Sequence, residues 1–232
     1  MQSGEWPRRL RAVWDQISEA SRNNPIATGN VRPVLQLGDP LLRQKCARVL
    51  DPTDTEIAEL VRDLSETLAY WRVKTGYGRG IAAPQIGVLK RVIFLKLPGV
   101  EPWPLVNPQI VHASEEKMVV WDACLSFLSI FMQVERRRWI RVRYQTLKGE
   151  TYEFEAGDER DLSELLQHEI DHLDGILAID RVVDMKAICT REEFEKRHRA
   201  DSPYAEAARG TTESRASETK TDSSPAKFAG SE

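Results

Sequence analysis

The chain has 232 residues, 41% of them hydrophobic, enough for one domain with a full core and appended ends. Its formal net charge of −3 removes any electrostatic reason to expect direct nucleic-acid binding. Three widely spaced cysteines, Cys46, Cys124 and Cys189, make no disulfide framework, and no apolar run reaches membrane-spanning or signal-peptide form, so a cytoplasmic protein without a membrane partner is expected.

In chain order, Trp6, Leu10, Val13, Trp14 and Ile17 recur at helical spacing. Residues 1–30 therefore read as an N-terminal amphipathic helix and a linker, and 31–199 as the compact domain. A Thr53/Glu56 capping box predicts a second helix up to Trp71, with Ile57, Leu60, Val61, Leu64 and Leu68 as its apolar stripe. Gly76 to Gly87 read as a loop of small residues that lets backbone approach a neighbour closely. A dinucleotide-binding reading of Gly78-Arg79-Gly80 fails, because Pro84 interrupts the helix that should follow.

Short strands are expected over Val92 to Leu97, Leu105 to Val111, Lys117 to Trp121, Gln133 to Tyr144 and Thr151 to Ala156. A third helix follows, N-capped by Asp161, with Leu162, Leu165, Leu166, Ile170 and Leu173 on its apolar face and Gly175 as its stop. Ile176 to Val183 read as one more strand and Thr190 to Arg199 as a charged helix. Residues 200–232, rich in Ser, Thr, Ala, Glu and Lys, are expected to be disordered. Few helices among several short strands, without regular alternation, predict an α+β fold.

The third helix carries Gln167-His168-Glu169-Ile170-Asp171-His172. Residues four apart lie one turn above each other, so His168 and His172 can turn two imidazoles towards one metal ion. Glu169 then sits beside it as the general base of an H-E-x-x-H hydrolase. A catalytic site of this kind needs a third protein ligand. The metzincin spacing fails, since Ala178 stands where the third histidine belongs. Cys124 and a downstream carboxylate, Glu192 or Glu193, both remain open as that ligand.

Three stretches, Gly78 to Gln85, Asp122 to Ser126 and Gln167 to His172, together resemble the ordered motifs G-φ-G-φ-A-A-x-Q, E-G-C-L-S and Q-H-E-x-D-H of the peptide deformylases. These are metal-dependent amidases that remove the N-formyl group from nascent polypeptides, and the resemblance covers roughly residues 33 to 186. It implies a peptide-deformylase-like fold, with short, mostly antiparallel strands around a central helix carrying the metal motif. It implies Cys124, His168 and His172 as ligands and Glu169 as the acid/base. Gln85 and the backbone N–H of Leu125 would hold the formyl oxygen, with Arg79, Gly80, Ile81, Ala123 and Leu165 around the substrate. One divalent ion is expected, ferrous iron by resemblance, with zinc, nickel or cobalt as alternatives that the ligand types also suit. The expected partner is an N-formylmethionyl peptide, including nascent chains at the ribosome.

The chain departs from those motifs at four places. Asp122 replaces Glu, Ala123 replaces Gly, and Arg79 occupies an apolar position, where it reads as a solvated loop charge or a partner for a substrate carboxylate. The apolar stretch Phe127 to Met132 reads as a loop that covers the site or contacts a protein. Three alternatives follow: hydrolysis of free N-formyl amino acids, a zincin-like metallopeptidase with a glutamate ligand, and a non-catalytic metal-binding module.

Overall fold

The computed structural model describes residues 30–157 and 162–202. The expected N-terminal helix, the Asp161 cap and most of the C-terminal tail lie outside the described residues. The first long helix, α1, spans Thr55–Thr75. Its N-cap is Asp54, whose side chain accepts from the Glu56 N–H, rather than the predicted Thr53, whose hydroxyl donates to Asp51. It also runs a turn past Trp71 and stops at Gly76, which adopts φ +74° and bonds back to the Arg72 carbonyl.

Five antiparallel strands form the larger sheet: β1 (Gly80–Ala82), β2 (Val92–Leu95), β3 (Trp103–Ala113), β6 (Ile140–Gln145) and β7 (Thr151–Ala156), in the order β1-β2-β3-β6-β7. A smaller antiparallel sheet, in the order β4-β5-β8, contains β4 (Lys117–Asp122), β5 (Ile130–Arg137) and β8 (Ile188–Thr190). The stretch Gln133 to Tyr144, expected as one strand, is therefore two strands in different sheets. The chain leaves β5 after Arg137 and enters β6 at Ile140. Ile176 to Val183 is not a strand either. It contains the 3-10 turn Ala178–Arg181 and a single bridge from Val182 to Val134.

The central helix α2, Leu162–Leu173, packs against β1, β2 and β3 of the larger sheet and against β5 of the smaller one. β2 is buried on both faces, which explains its unbroken apolar sequence. Ile93 and Leu95 join Leu165, Leu166 and Ile170 of α2, whereas Val92 and Phe94 join Ile57, Leu64 and Leu68 of α1. A short helix, α3 (Arg191–Arg197), closes the smaller sheet through Phe194, whose ring stacks on Phe131 at 4.0 Å between centroids.

The exit of α2 is held tightly. Ile176 N–H bonds to Asp171 O and Gly175 N–H to His172 O, the paired bonds of a left-handed C-terminal cap, with Gly175 at φ +73°. A Cβ at this glycine would stand 2.5 Å from the Arg43 carbonyl oxygen. Gly175→Ala combines left-handed strain with a backbone clash, so urea unfolding should show a loss of at least about 2 kcal/mol. An unchanged urea midpoint would contradict this account of the helix stop.

Candidate metal and active site

Three elements converge beside α2. The helix supplies His168 and His172 on one face, their ring centroids 4.9 Å apart. The end of β4 and the residues after it supply Asp122, Ala123 and Cys124. The 3-10 turn Ala83–Ile86, which follows β1, supplies Gln85. Cys124 Sγ lies 3.2 Å from His172 Nε2. One ligand atom from each of Cys124, His168 and His172 falls within 4.8 Å of the other two, and all three residues are buried.

This donor set suits a divalent metal: one thiol and two imidazoles, one short of the usual four ligands of a zinc-type site. His168 Nδ1 lies 2.9 Å from Asp122 Oδ1, which orients the ring and leaves Nε2 for coordination. Glu169 is 3% exposed, and its Oε2 has no hydrogen-bond partner among the described residues. A buried carboxylate oxygen of this kind fits beside a polar ligand rather than inside an apolar core.

Gly80 makes the approach of Glu169 possible. A Cβ there would stand 2.5 Å from Glu169 Oε1 and 2.8 Å from Leu95 Cδ2, so only glycine lets β1 pass this close. Gln85 is fixed by its own turn: its Oε1 accepts from the Ala82 N–H at 2.9 Å. Its Nε2 thereby reaches Cys124 Sγ at 3.4 Å and Ser126 Oγ at 3.3 Å. Leu125 starts the 3-10 turn that follows Cys124, and that turn is pinned from outside by the Leu37 N–H on the Ser126 carbonyl.

The electrostatics separate these groups. Burial pushes the Glu169 carboxyl up to about 7, reinforced by the charges of Asp122 and Glu164 and opposed by His168 and Arg79. Burial would also depress His168, but the charge and hydrogen bond of Asp122 override it and hold this imidazole well above its ordinary value. His172 is driven well below that value, by burial first and by the positive charge of His168 second. Asp122 stays below the usual carboxylate range: its burial is outweighed by His168 and by Arg136.

A narrow cleft opens beside these groups, lined by Gly80, Gln85, Ala123, Leu125, Leu165 and Glu169 among others. Ile81 is not part of that lining. Its side chain is fully buried with Leu64, Leu68 and Phe94, because alternation along β1 turns it towards α1. Arg79 is not a solvated charge: its Nη2 lies 2.6 Å from Glu164 Oε2, with the glutamate side chain 1% and the arginine side chain 15% exposed. Phe127 to Met132 is not a covering loop, since Phe127, Phe131 and Met132 are core residues and β5 begins at Ile130. Glu192 and Glu193 lie on α3, where Glu193 pairs with Arg197, and neither joins the ligand group.

Several residues that the sequence did not single out support the site. Arg136, 2% exposed, bridges Asp122 Oδ2 at 2.9 Å and Asp171 Oδ2 at 2.5 Å. Arg181 adds two bonds to Asp171, at 2.7 and 3.0 Å. Gln167 clasps the backbone of Arg137, accepting from its N–H and donating to its carbonyl, both at 2.9 Å. Asp171 and Gln167 are letters of the helix motif, so the spacing marked their positions. Nothing in the sequence named their partners on β5.

The family model described as polypeptide deformylase matches residues 31–187. The peptide deformylase of Bartonella tribocorum is 37% identical over 173 residues, covering 72% of this chain and 93% of its own. That of Heliobacterium modesticaldum is 41% identical over 152 residues, covering 66% and 94%. Among solved structures, the Thermotoga maritima peptide deformylase superposes with a TM-score of 0.61 at 33% identity, over 67% of this chain and 99% of that one. The Synechococcus elongatus enzyme in complex with actinonin gives a TM-score of 0.60 at 30% identity, over 73% and 88%. The matched region contains the cysteine, the two histidines and the glutamate just described, and the chain belongs to the polypeptide deformylase family.

Proposed function

We propose that this chain is a metal-dependent amide hydrolase that removes the N-formyl group from N-formylmethionyl peptides, as on nascent chains, releasing formate and a free amino terminus. The observation that carries this reading is the buried group of Cys124, His168 and His172, with Glu169 and the Gln85 amide beside it. Ferrous iron is the proposed ion, in keeping with the family resemblance, and the donor set equally accepts zinc, nickel or cobalt. A divalent ion held by these three residues supplies Lewis acidity, activating water and polarising the formyl carbonyl.

The remaining work falls to the chain's own groups. Glu169, with its carboxyl pushed up to about 7, can take a proton from the attacking water and pass it to the departing nitrogen. The C–N bond then breaks to give formate and an amine. Negative charge grows on the formyl oxygen during attack, and the Gln85 Nε2–H donor, fixed by its bond to Ala82, is suited to receive it. The Leu125 N–H is proposed as the companion donor. β1 is an edge strand of its sheet, so an extended substrate backbone can pair along Gly80 to Ala82.

The alternatives have less support. Glu164 balances the charge of Arg79, which leaves no net positive charge there to hold the carboxylate of a free formyl amino acid. The third ligand is a cysteine within the cluster and not a glutamate of α3, which weighs against the metallopeptidase. A purely structural metal site needs no unpaired carboxylate next to it, which weighs against the binding module.

Formate release from formyl-Met-Ala-Ser by anaerobically purified protein tests the proposal. Turnover should be lost on chelation and return with added ferrous iron; a stoichiometrically metallated protein that releases no formate would refute it. Glu169→Ala should retain the metal, measured by elemental analysis, while kcat falls about 10²–10⁴-fold. Retained turnover would remove Glu169 from the proton transfers. Gln85→Leu should lower kcat by about 10²-fold with a smaller change in KM, because its bond strengthens as charge develops. A change confined to KM would make Gln85 a ground-state binding group.

A further inference from the structure

The cleft beside the reacting centre has one wall that the proposed chemistry does not use. Leu125, Leu128 and Leu165 contribute apolar surface to it, but Arg79 and Glu164 line it as well. Glu164 is 1% exposed, and its Oε2 meets the Arg79 guanidinium at 2.6 Å. A charge buried this deeply loses its hydration and is strongly disfavoured unless it is paired, and a pair of apolar side chains would fill the same place without that cost. The position of the wall gives the pair a role. The formyl carbon must lie among Gln85, Glu169 and the three ligand residues, and the nitrogen it leaves carries the first residue of the peptide. Gln85, His168 and Glu169 also line this cleft, so the side chain of that first residue has the cleft as its adjoining recess.

Building on the deformylase reading, we propose that the Arg79–Glu164 pair is a specificity element. It extends the substrate range to formyl peptides whose first side chain has the length of methionine and carries a hydrogen-bond acceptor, as methionine sulfoxide and glutamine do. A guanidinium has five N–H donors in a fixed fork, so an arginine already bound to a carboxylate can still receive an oxygen of the substrate. A plain thioether offers the pair almost nothing and presses apolar surface on it. A sulfoxide or carboxamide oxygen replaces the water it displaces. Sites that hydrogen-bond a substrate group discriminate far more strongly than apolar pockets, in which one methylene is worth about 10–200-fold.

The test compares kcat/KM, read as formate release, for formyl-Met-Ala-Ser, formyl-Met(sulfoxide)-Ala-Ser and formyl-Gln-Ala-Ser. The full-length metallated protein is set against the double variant Arg79→Met/Glu164→Leu, which removes both charges together. The sulfoxide-to-methionine or glutamine-to-methionine ratio should fall at least about tenfold in the double variant, as expected when a polar pocket becomes apolar. A fall in only one ratio identifies which of the two side chains the pair accepts. Should the double variant fail to fold, Arg79→Gln/Glu164→Gln preserves shape and must lower the same ratio at least about threefold, because charge-assisted bonds exceed neutral ones. Formate release with both ratios unchanged would overturn the role of the pair. No formate from any of the three peptides with the unaltered protein would instead overturn the deformylase reading beneath it.

Discussion

A single constraint shapes this structure: all twelve residues of α2 are buried, and seven of them, Ser163 included, are polar or charged. An ordinary surface helix hides one stripe and solvates the other. Here Glu164, Gln167, His168, Glu169, Asp171 and His172 must all find protein or ligand partners, because water cannot reach them in quantity. The larger sheet satisfies the apolar stripe of Leu162, Leu165, Leu166, Ile170 and Leu173, leaving the smaller sheet and the loops to satisfy the rest. The two-sheet arrangement follows from that division of labour.

Arg136 is the main element of that second interface. From β5 it spans Asp122, at the end of β4, and Asp171 on the helix, and so ties three elements through one guanidinium. With Arg181 included, two arginines face two aspartates and the cluster is neutral overall. Asp122 then uses its other oxygen on His168, so the orientation of a proposed metal ligand is set through a carboxylate anchored on the opposite side. Aspartate is a methylene shorter than glutamate at this position, and both contacts are still made at 2.9 Å.

Side-chain chemistry was more legible in the sequence than partnership. The histidine spacing, the Gly175 stop and the strand Thr151–Ala156 followed from local patterns and match the observed elements. Cys124 lies 44 residues before His168 along the chain, and the spacing alone left it level with Glu192 and Glu193. Failures came where tertiary context decides. Gln133 to Tyr144 has the composition of one long strand, and no local signal says that Arg137 and Ile140 belong to different sheets. Arg79 sits among glycines, as a solvated charge would, and only the fold brings Glu164 to it across 85 positions. Phe127 to Met132 has the look of an exposed apolar loop until Phe194 of α3 is found packed on Phe131.

Arginine pairing also separates the other buried carboxylates from Glu169, the proposed proton carrier. Four buried carboxylates surround the two histidines: Asp122, Glu164, Glu169 and Asp171. Asp122 and Asp171 share Arg136, Asp171 holds Arg181 as well, and Glu164 holds Arg79. Glu169 alone among them makes no ion pair among the described residues. An arginine on Glu169 would lock it as a permanent anion and spoil it as a proton carrier. An apolar pocket with no neighbouring charges would move it the other way, towards a permanently neutral acid. Burial beside compensated charges leaves it between these limits, at about 7, where it can both accept and release a proton near neutrality. The arginines at positions 79 and 136 thus occupy the other carboxylates, and the one that makes no ion pair among the described residues is the one proposed to transfer protons.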